Sequence, residues 1–514
     1  MKIHRKYKVW LVKFQYAMLF FTILALPIFA LTKRLQVSHL GGKLSWYFAL
    51  LGLVALGIEW IFFRFKVDKT IKRFLIIFLG WQILTLLFGL YRYPYYQEIN
   101  WHASARLSQV IDFMAHHHLD FFTIPQIEAV WLAMRVIKTA LLNFIFTFGI
   151  TVWIIHLFEN SFDHGFITIR KFVLILTIAL GIYAIPEILL FKFKMAIGYD
   201  ILSVTNGFLY DVGSYLDWYP PLVWQGEQVR SYCTEPSIVG FLAATIVPLL
   251  WSYFGKSLKL TVLYIYYIMI VFMSKSRTSN AIAIFDFLFL LPGIFSSKTR
   301  KLAIMLLLFS GIGFMCNLGM NFIPAFFLQD VNSGSQEKTI YSYYENNVKS
   351  IVEKDSRSNG SRLINIVGHV NVIKEHWLVG VGEGLEACYV RDYLPDGALN
   401  NKEIGSITEQ LNEKGPLGTT SYGNVNHYVY IMTNEGIVGL VIYLLPFLYV
   451  LWVIFKLKLW NDNRYTFLFI AVLGNLVAEM AGEPVMLLYI ILGLLYIGIQ
   501  KNCNLDAKKC SIIF

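Results

Sequence analysis

Five side chains in this sequence have the type and position that chemistry on a phosphate-bearing substrate needs: Arg230, Glu235, Arg277, Arg362 and His427. Each stands where an apolar run begins or ends. Arg230 and Glu235 close the polar stretch WQGEQVRSYCTEPS, just before such a run. Pro236 suits a first helical position, which puts Glu235 at the positive end of the helix. Ser276 and Arg277 sit in the tight turn MSKSRTSN, Arg362 opens an amphipathic stretch, and His427 stands where the chain turns apolar again. A guanidinium matches phosphate oxygens two at a time. A histidine that titrates near neutral pH can take the proton of an attacking hydroxyl. Plainer accounts compete. Arg230 could anchor at an interface by snorkelling, Arg277 could cap its turn, and His376, beside Trp377, reads as a packing residue on a helix face.

The elements that position these groups are membrane spans. Of 514 residues, 57% are hydrophobic and only 15% charged, against about a quarter charged in soluble domains. Mean hydropathy is +0.56. The fold class read from this is an all-α polytopic membrane protein with about 12 spans, each near the ~20 residues that cross a bilayer. The spans fall at 14–32, 44–63, 74–91, 139–157, 172–191, 238–254, 260–274, 279–295, 302–325, 428–455, 465–479 and 485–499. Sorting the links alternately collects most Lys and Arg on one side: the N-terminus, 64–73, 158–171, 255–259, 296–301, 456–464 and the C-terminal tail. This is the positive-inside pattern, so both termini are expected in the cytoplasm and the +11 net charge reports topology, not nucleic acid. The first apolar run lacks a small-residue cleavage site and reads as a span rather than a signal peptide.

The opposite set holds 92–126, 193–237, the 275–278 turn and a large loop over 326–427, with nine Lys/Arg and thirteen Asp/Glu. The division expected is therefore 1–237, 238–325, the loop 326–427, and 428–514. Segment 102–118 has helical apolar spacing and should lie along the interface. The run His116–His118 is not a metal site, because neighbouring helical residues point apart. Within the loop, 326–360 is polar, and Leu363, Val367, Val370, Ile373 and Trp377 predict an amphipathic helix over 361–377. GVGEG at 380–384 follows no strand and opens no helix, which excludes a dinucleotide fingerprint. Its glycines are expected to serve a tight turn or a close backbone approach to substrate. Residues 386–423 show little periodicity. Cys233 and Cys388 are the two outward cysteines, and a disulfide between them stays open as an alternative.

Taken in order, these pieces resemble the O-antigen ligase and O-antigen polymerase superfamily. The resemblance runs from about Arg230 to Leu440. It rests on Arg230 with EPS at 235–237, the Ser276–Arg277 pair, Arg362 with HWLVGVGEG, and NVNHYVYIMTNEGIVGL. One departure is visible. Counted back from Gly436, the family's histidine falls on Val425 and its acidic residue on Asn434, whereas this chain offers His427 and Glu435. The resemblance implies a type C glycosyltransferase-like enzyme of the bacterial cytoplasmic (inner) membrane, with its large loop extracytoplasmic. It implies undecaprenyl-diphosphate-linked glycans as donor and acceptor, and needs no cofactor and no metal. Arg230, Arg277 and Arg362 would hold the diphosphate, and His427 would be the base, with Glu235 and His376 behind it. A polymerase, partnered by a chain-length regulator and working in the lipid bilayer, is preferred over a ligase that moves the glycan to lipid A core or protein. A flippase or secondary transporter is the third reading. It is disfavoured because the 255–259 link is short and the large loop is off-centre.

Overall fold

The computed structural model describes residues 2–37, 40–64, 67–119, 121–213, 219–295, 299–320, 357–417 and 422–505. Among these residues every regular element is helical. α1 (Lys2–Leu24), α2 (Leu44–Phe63) and α3 (Lys69–Arg92) lead to the short α4 (Ala105–His116). Then come α5 (Ile124–Phe158), α6 (Phe162–Phe193) and α7 (Ala196–Leu209). α8 (Pro236–Trp251), α9 (Leu258–Met273), α10 (Arg277–Leu288), α11 (Leu291–Phe295) and α12 (Arg300–Met320) form the middle of the chain. α13 (Arg357–His376), α14 (Glu386–Asp392) and α15 (Lys402–Lys414) precede α16 (His427–Lys456), α17 (Asn463–Ala478) and α18 (Met486–Leu505).

Among the described residues, nine helices are long and apolar enough to cross a membrane, which makes this a polytopic membrane protein. The difference from twelve has physical causes. The expected span 14–32 ends as helix at Leu24, and residues 25–32 run irregularly around Pro27. α8 and α9 have 16 residues each, about 24 Å at 1.5 Å per residue, short of a ~30 Å hydrocarbon core. α8 is buried along nearly its whole length and α9 from Tyr267 to Met273, so over those stretches neighbouring helices rather than lipid surround them. The expected span 139–157 is longer than its apolar stretch: α5 begins at Ile124 and includes a π-turn over Ile145–Gly149. Polar side chains cap the starts, with Asp68 accepting from Thr70 and Ile71, and Asn426 accepting from Tyr428 and Val429.

The alternating links sort into two ends. At one, Glu59 meets Lys8 at 3.7 Å and His156 at 3.3 Å, while Asp163 meets Arg464 and Lys501. These are the basic links. At the other end two distant segments share a second apolar core, built from Tyr93, Leu107, Ile111 and Val136 on one side and Val372, Cys388, Ile404 and Leu411 on the other. Arg391 adds a cross-link to Glu98 at 2.7 Å. The described part of the 326–427 loop is thus half of a cap whose other half is 93–136. The helix predicted over 361–377 is α13. Residues 386–423, read as aperiodic, hold α14 and α15; Ile404, Ile407 and Leu411 bury one face of α15 at spacings of three and four. α4 buries Leu107 and Ile111 within the 102–118 stretch read as a helix. Cys233 and Cys388 are free thiols in separate cores, so they form no disulfide. The polar segment 326–356 and the end of the 302–325 span lie outside the described residues.

Candidate functional site

The site is organised by a break in α16. Gly436 has φ 70° and ψ −174°, inside an otherwise continuous helix. Broken backbone in a membrane must be paired within the protein. Residues 377–382 supply the partners: Val381 donates to the Thr433 carbonyl at 2.9 Å, Gly382 to Asn434 at 2.8 Å, and Ile437 to Trp377 at 2.8 Å. A Cβ at Gly436 would collide with the Leu378 carbonyl, so only glycine permits this seam. The glycines of GVGEG therefore bring the loop against α16 rather than against a ligand. On its other side the loop packs on α3, where a Cβ at Gly89 would strike the Val381 carbonyl.

This docking delivers Glu383 into a polar cavity, which also takes Gln82 from α3, Asn143 from α5, Lys43, Glu483, and Asn424, His427 and Glu435. Asn143 donates to Glu383 at 2.8 Å. Gln82 donates to the Glu435 carboxylate at 3.2 Å, and the Trp81 indole to the Glu435 carbonyl at 3.0 Å. Lys43 and Glu483 form a 2.6 Å ion pair, and the Lys43 ammonium lies 4.9 Å from the Trp46 ring centroid. The His427 Nδ1 contacts the Asn424 amide at 2.9 Å, and its ring sits edge-on to Tyr443, 5.2 Å between centroids. Below them Tyr443 donates to Glu479 at 2.8 Å.

The charges divide the labour. Burial, then the neighbouring Glu435 and Glu386 carboxylates, push the Glu383 carboxyl up to about 8. The Lys43 ammonium holds Glu483 below the usual carboxylate range against its burial, and His427 adds to that. The cavity thus contains a neutral acid (Glu383), a paired anion (Glu483) and an imidazole beside that anion. Those are the parts of an acid–base centre. A stability prediction follows. The folded protein keeps the Glu383 proton up to about pH 8, while an unfolded chain releases it near 4.5. The native state binds the extra proton between those values, so this stabilisation is complete below 4.5 and lost as pH rises through about 8. Glu383→Gln keeps an acceptor for Asn143 and cannot ionise. Its thermal unfolding should decline less than the parent's over that pH window.

Of the residues singled out from the sequence, His427 lines this cavity. Arg277 and Arg362 do not line it, yet the fold brings their guanidinium groups close enough to repel each other. Arg362 is one helical turn from Asn365, whose amide donates to the Tyr422 and Gly423 carbonyls, and Gly423 belongs to the cavity wall. Two like charges this close together favour an anion between them. Glu235 accepts from Tyr219 at 2.7 Å and Ser237 at 3.0 Å and stays outside the cavity. Arg230 is corrected: it is fully buried, donating to the Thr234 carbonyl at 2.9 Å and to Pro221 and Leu222 at 2.7 and 3.1 Å, with Glu187 4.0 Å away. It holds the 221–234 segment together and has no surface for a diphosphate. His376, half-buried against Tyr389, packs as expected of a helix-face residue.

Sequence reasoning missed Glu383, Lys43 and Glu483. Glu383 was read only as part of a glycine run. The short links 33–43 and 480–484 drew no reading, although Lys43 is a cation on the side that the charge sorting leaves poor in cations, the same signal that marked Arg277. No known protein-family model matches this chain, and no curated protein sequence does either.

Proposed function

We propose that this protein is an integral-membrane glycosyltransferase that joins undecaprenyl-diphosphate-linked repeat units into a longer polysaccharide on the outer face of a bacterial cytoplasmic membrane. One observation carries this reading: a chamber that holds several charged and polar side chains and a chamber that is almost wholly apolar share the same four helices. The polar cavity uses Phe78 and Gln82 of α3, Asn143 of α5, His427 and Glu435 of α16, and Tyr489 of α18. Further along the same helices an apolar crevice begins, lined by Phe74 and Ile77 of α3, Val152 and Ile155 of α5, Leu445 and Tyr449 of α16, and Leu492 of α18. Phe148, in the π-turn of α5, borders both chambers. Exposed Ile76 and Ile77 leave the crevice open sideways, toward lipid. A molecule with a polar head and a long apolar tail fits this pair of chambers, and a free sugar nucleotide does not.

In this reading an acceptor sugar hydroxyl attacks the anomeric carbon of the donor glycan, the bond from that carbon to the diphosphate oxygen breaks, and the diphosphate leaves with the electron pair. His427, steadied by Asn424 and Glu483, takes the hydroxyl proton. Lys43 in the cavity, together with the Arg277 and Arg362 pair, balances the charge that develops on the leaving diphosphate. A neutral Glu383 spares that anion a repulsion. Val152→Trp tests the crevice. With long-prenyl donors its KM should rise about tenfold or more, the size of effect expected when a pocket loses methylene contacts, while short-prenyl donors should be little affected. Equal KM for both donors with either protein rules out the lipid-tail assignment. The glycan ladder of a deletion strain separates acceptors: single repeat units mean a polymerase was lost, and long chains left on the carrier mean a ligase.

A further inference from the structure

Among the described residues, Phe148 alone lines both the polar cavity and the apolar crevice. Its ring is 2% exposed. It stands edge-on to Phe74 and Phe78 of α3, with 4.9 and 4.8 Å between centroids, and to Tyr489 of α18 at 5.4 Å and Tyr443 of α16 at 6.3 Å. Phe74 belongs to the crevice wall, and Phe78, Tyr443 and Tyr489 belong to the cavity wall. Aromatic rings from α3, α5, α16 and α18 thus fill the place where the two chambers meet. A molecule with its head in one chamber and its tail in the other has to displace the ring they share.

The turn that carries this ring is one that can shift. Ile145–Gly149 is a π-turn, which holds one residue more than an α-helical turn and is frequent at functional sites. Thr147 Oγ1 donates back to the Asn143 carbonyl at 2.6 Å and the Phe144 carbonyl at 3.3 Å, a kind of contact that bends and weakens a helix. Each residue advances about 100° around a helix of 3.6 residues per turn. Passing the extra residue on toward Thr151 therefore turns Phe148 away from the seam by about that angle and leaves α5 a helix. Asn143, which holds Glu383, lies before the π-turn and keeps its place.

We propose that Phe148 is a gate that selects the substrate: its ring closes the passage between the chambers in the free protein and swings aside on the π-turn to admit a diphosphate that carries a prenyl tail. The proposal rests on the assignment of head and tail to the two chambers given above. Only a ligand that gains contacts in the open state can shift the ring, so a polar head without a tail leaves it closed.

The test follows association by stopped flow, with the full-length protein in nanodiscs and with farnesyl diphosphate and inorganic pyrophosphate as probes. With farnesyl diphosphate the observed rate should level off as concentration rises, because opening of the ring limits it. With pyrophosphate it should climb linearly. Phe148→Ala should raise the plateau about tenfold or more, since a minor open state is about 0.1–10% populated, and Phe148→Trp should lower it. Phe148→Leu keeps most of the apolar fill, loses the edge-on ring contacts, and should raise the plateau too. A plateau that none of the three substitutions moves overturns the gate, as does a linear rise for farnesyl diphosphate in the parent. Farnesyl diphosphate that binds no more tightly than pyrophosphate would instead overturn the chamber assignment itself, and the gate with it.

Discussion

Replacing His427 by alanine should lower glycan transfer by about 10²–10⁴-fold, the range a positioned general base contributes. His427 is the cavity residue best placed for that task. Asn424 fixes one ring nitrogen, the paired Glu483 carboxylate lies beside it, and Tyr443 limits the ring's tilt. The loss should appear in kcat at equal protein level, with KM for the lipid-linked donor little changed, because a base acts in the transition state. Glu483→Gln should give a smaller loss with the same split. Its damage runs through the imidazole, so the acidic limb of the pH–rate profile should also shift. Full activity in His427→Ala would remove this cavity as the reaction centre.

Arg230→Ala should cost about 3–5 kcal/mol of stability, as expected when one partner of a buried ion pair is deleted. The Glu187 carboxylate, fully buried, would be left with only the backbone N–H groups of Arg230 and Ser231, at 3.0 and 2.7 Å. Three carbonyls would also lose their donor. Arg230→Lys should recover only part of the loss, since an ammonium lacks the planar fork that reaches Thr234 and Pro221 together. Replacing Arg230 and Glu187 together by leucine and glutamine should recover more than either single change, because no charge is then stranded. Thermal unfolding in detergent reads all of these. A normally folded Arg230→Ala that binds donor poorly would instead return Arg230 to the substrate.

The two outcomes show where sequence reasoning reached and where it stopped. α13 was legible because its apolar residues repeat at the helical period, and His427 because a polar residue at the start of an apolar run marks a helix end. Arg230 was misread because its partners are carbonyls of an irregular stretch, and carbonyls carry no residue code. Glu383 was invisible for a related reason: what makes it an acid is its burial when the loop docks, together with the Glu435 carboxylate brought up from α16. α8 and α9 looked like ordinary spans because hydropathy reports apolar length and not whether lipid or protein surrounds it. The like-charged pair Arg277 and Arg362 was individually visible, but their approach depends on the fold of the long stretch of chain between them.

The seam between α16, the 377–382 loop and α3 also sets an order of assembly. A ribosome delivers α3 to the membrane long before it makes Val381, and longer still before Gly436. Until then the notch at Gly89, with Gln82 and Thr85 on the same stretch of helix, faces the bilayer without the loop that fills it. Maturation is therefore not the simple vectorial threading of one hairpin after another. The early helices must wait as a docking template, and the reaction chamber comes into being only when a late segment folds back onto an early one.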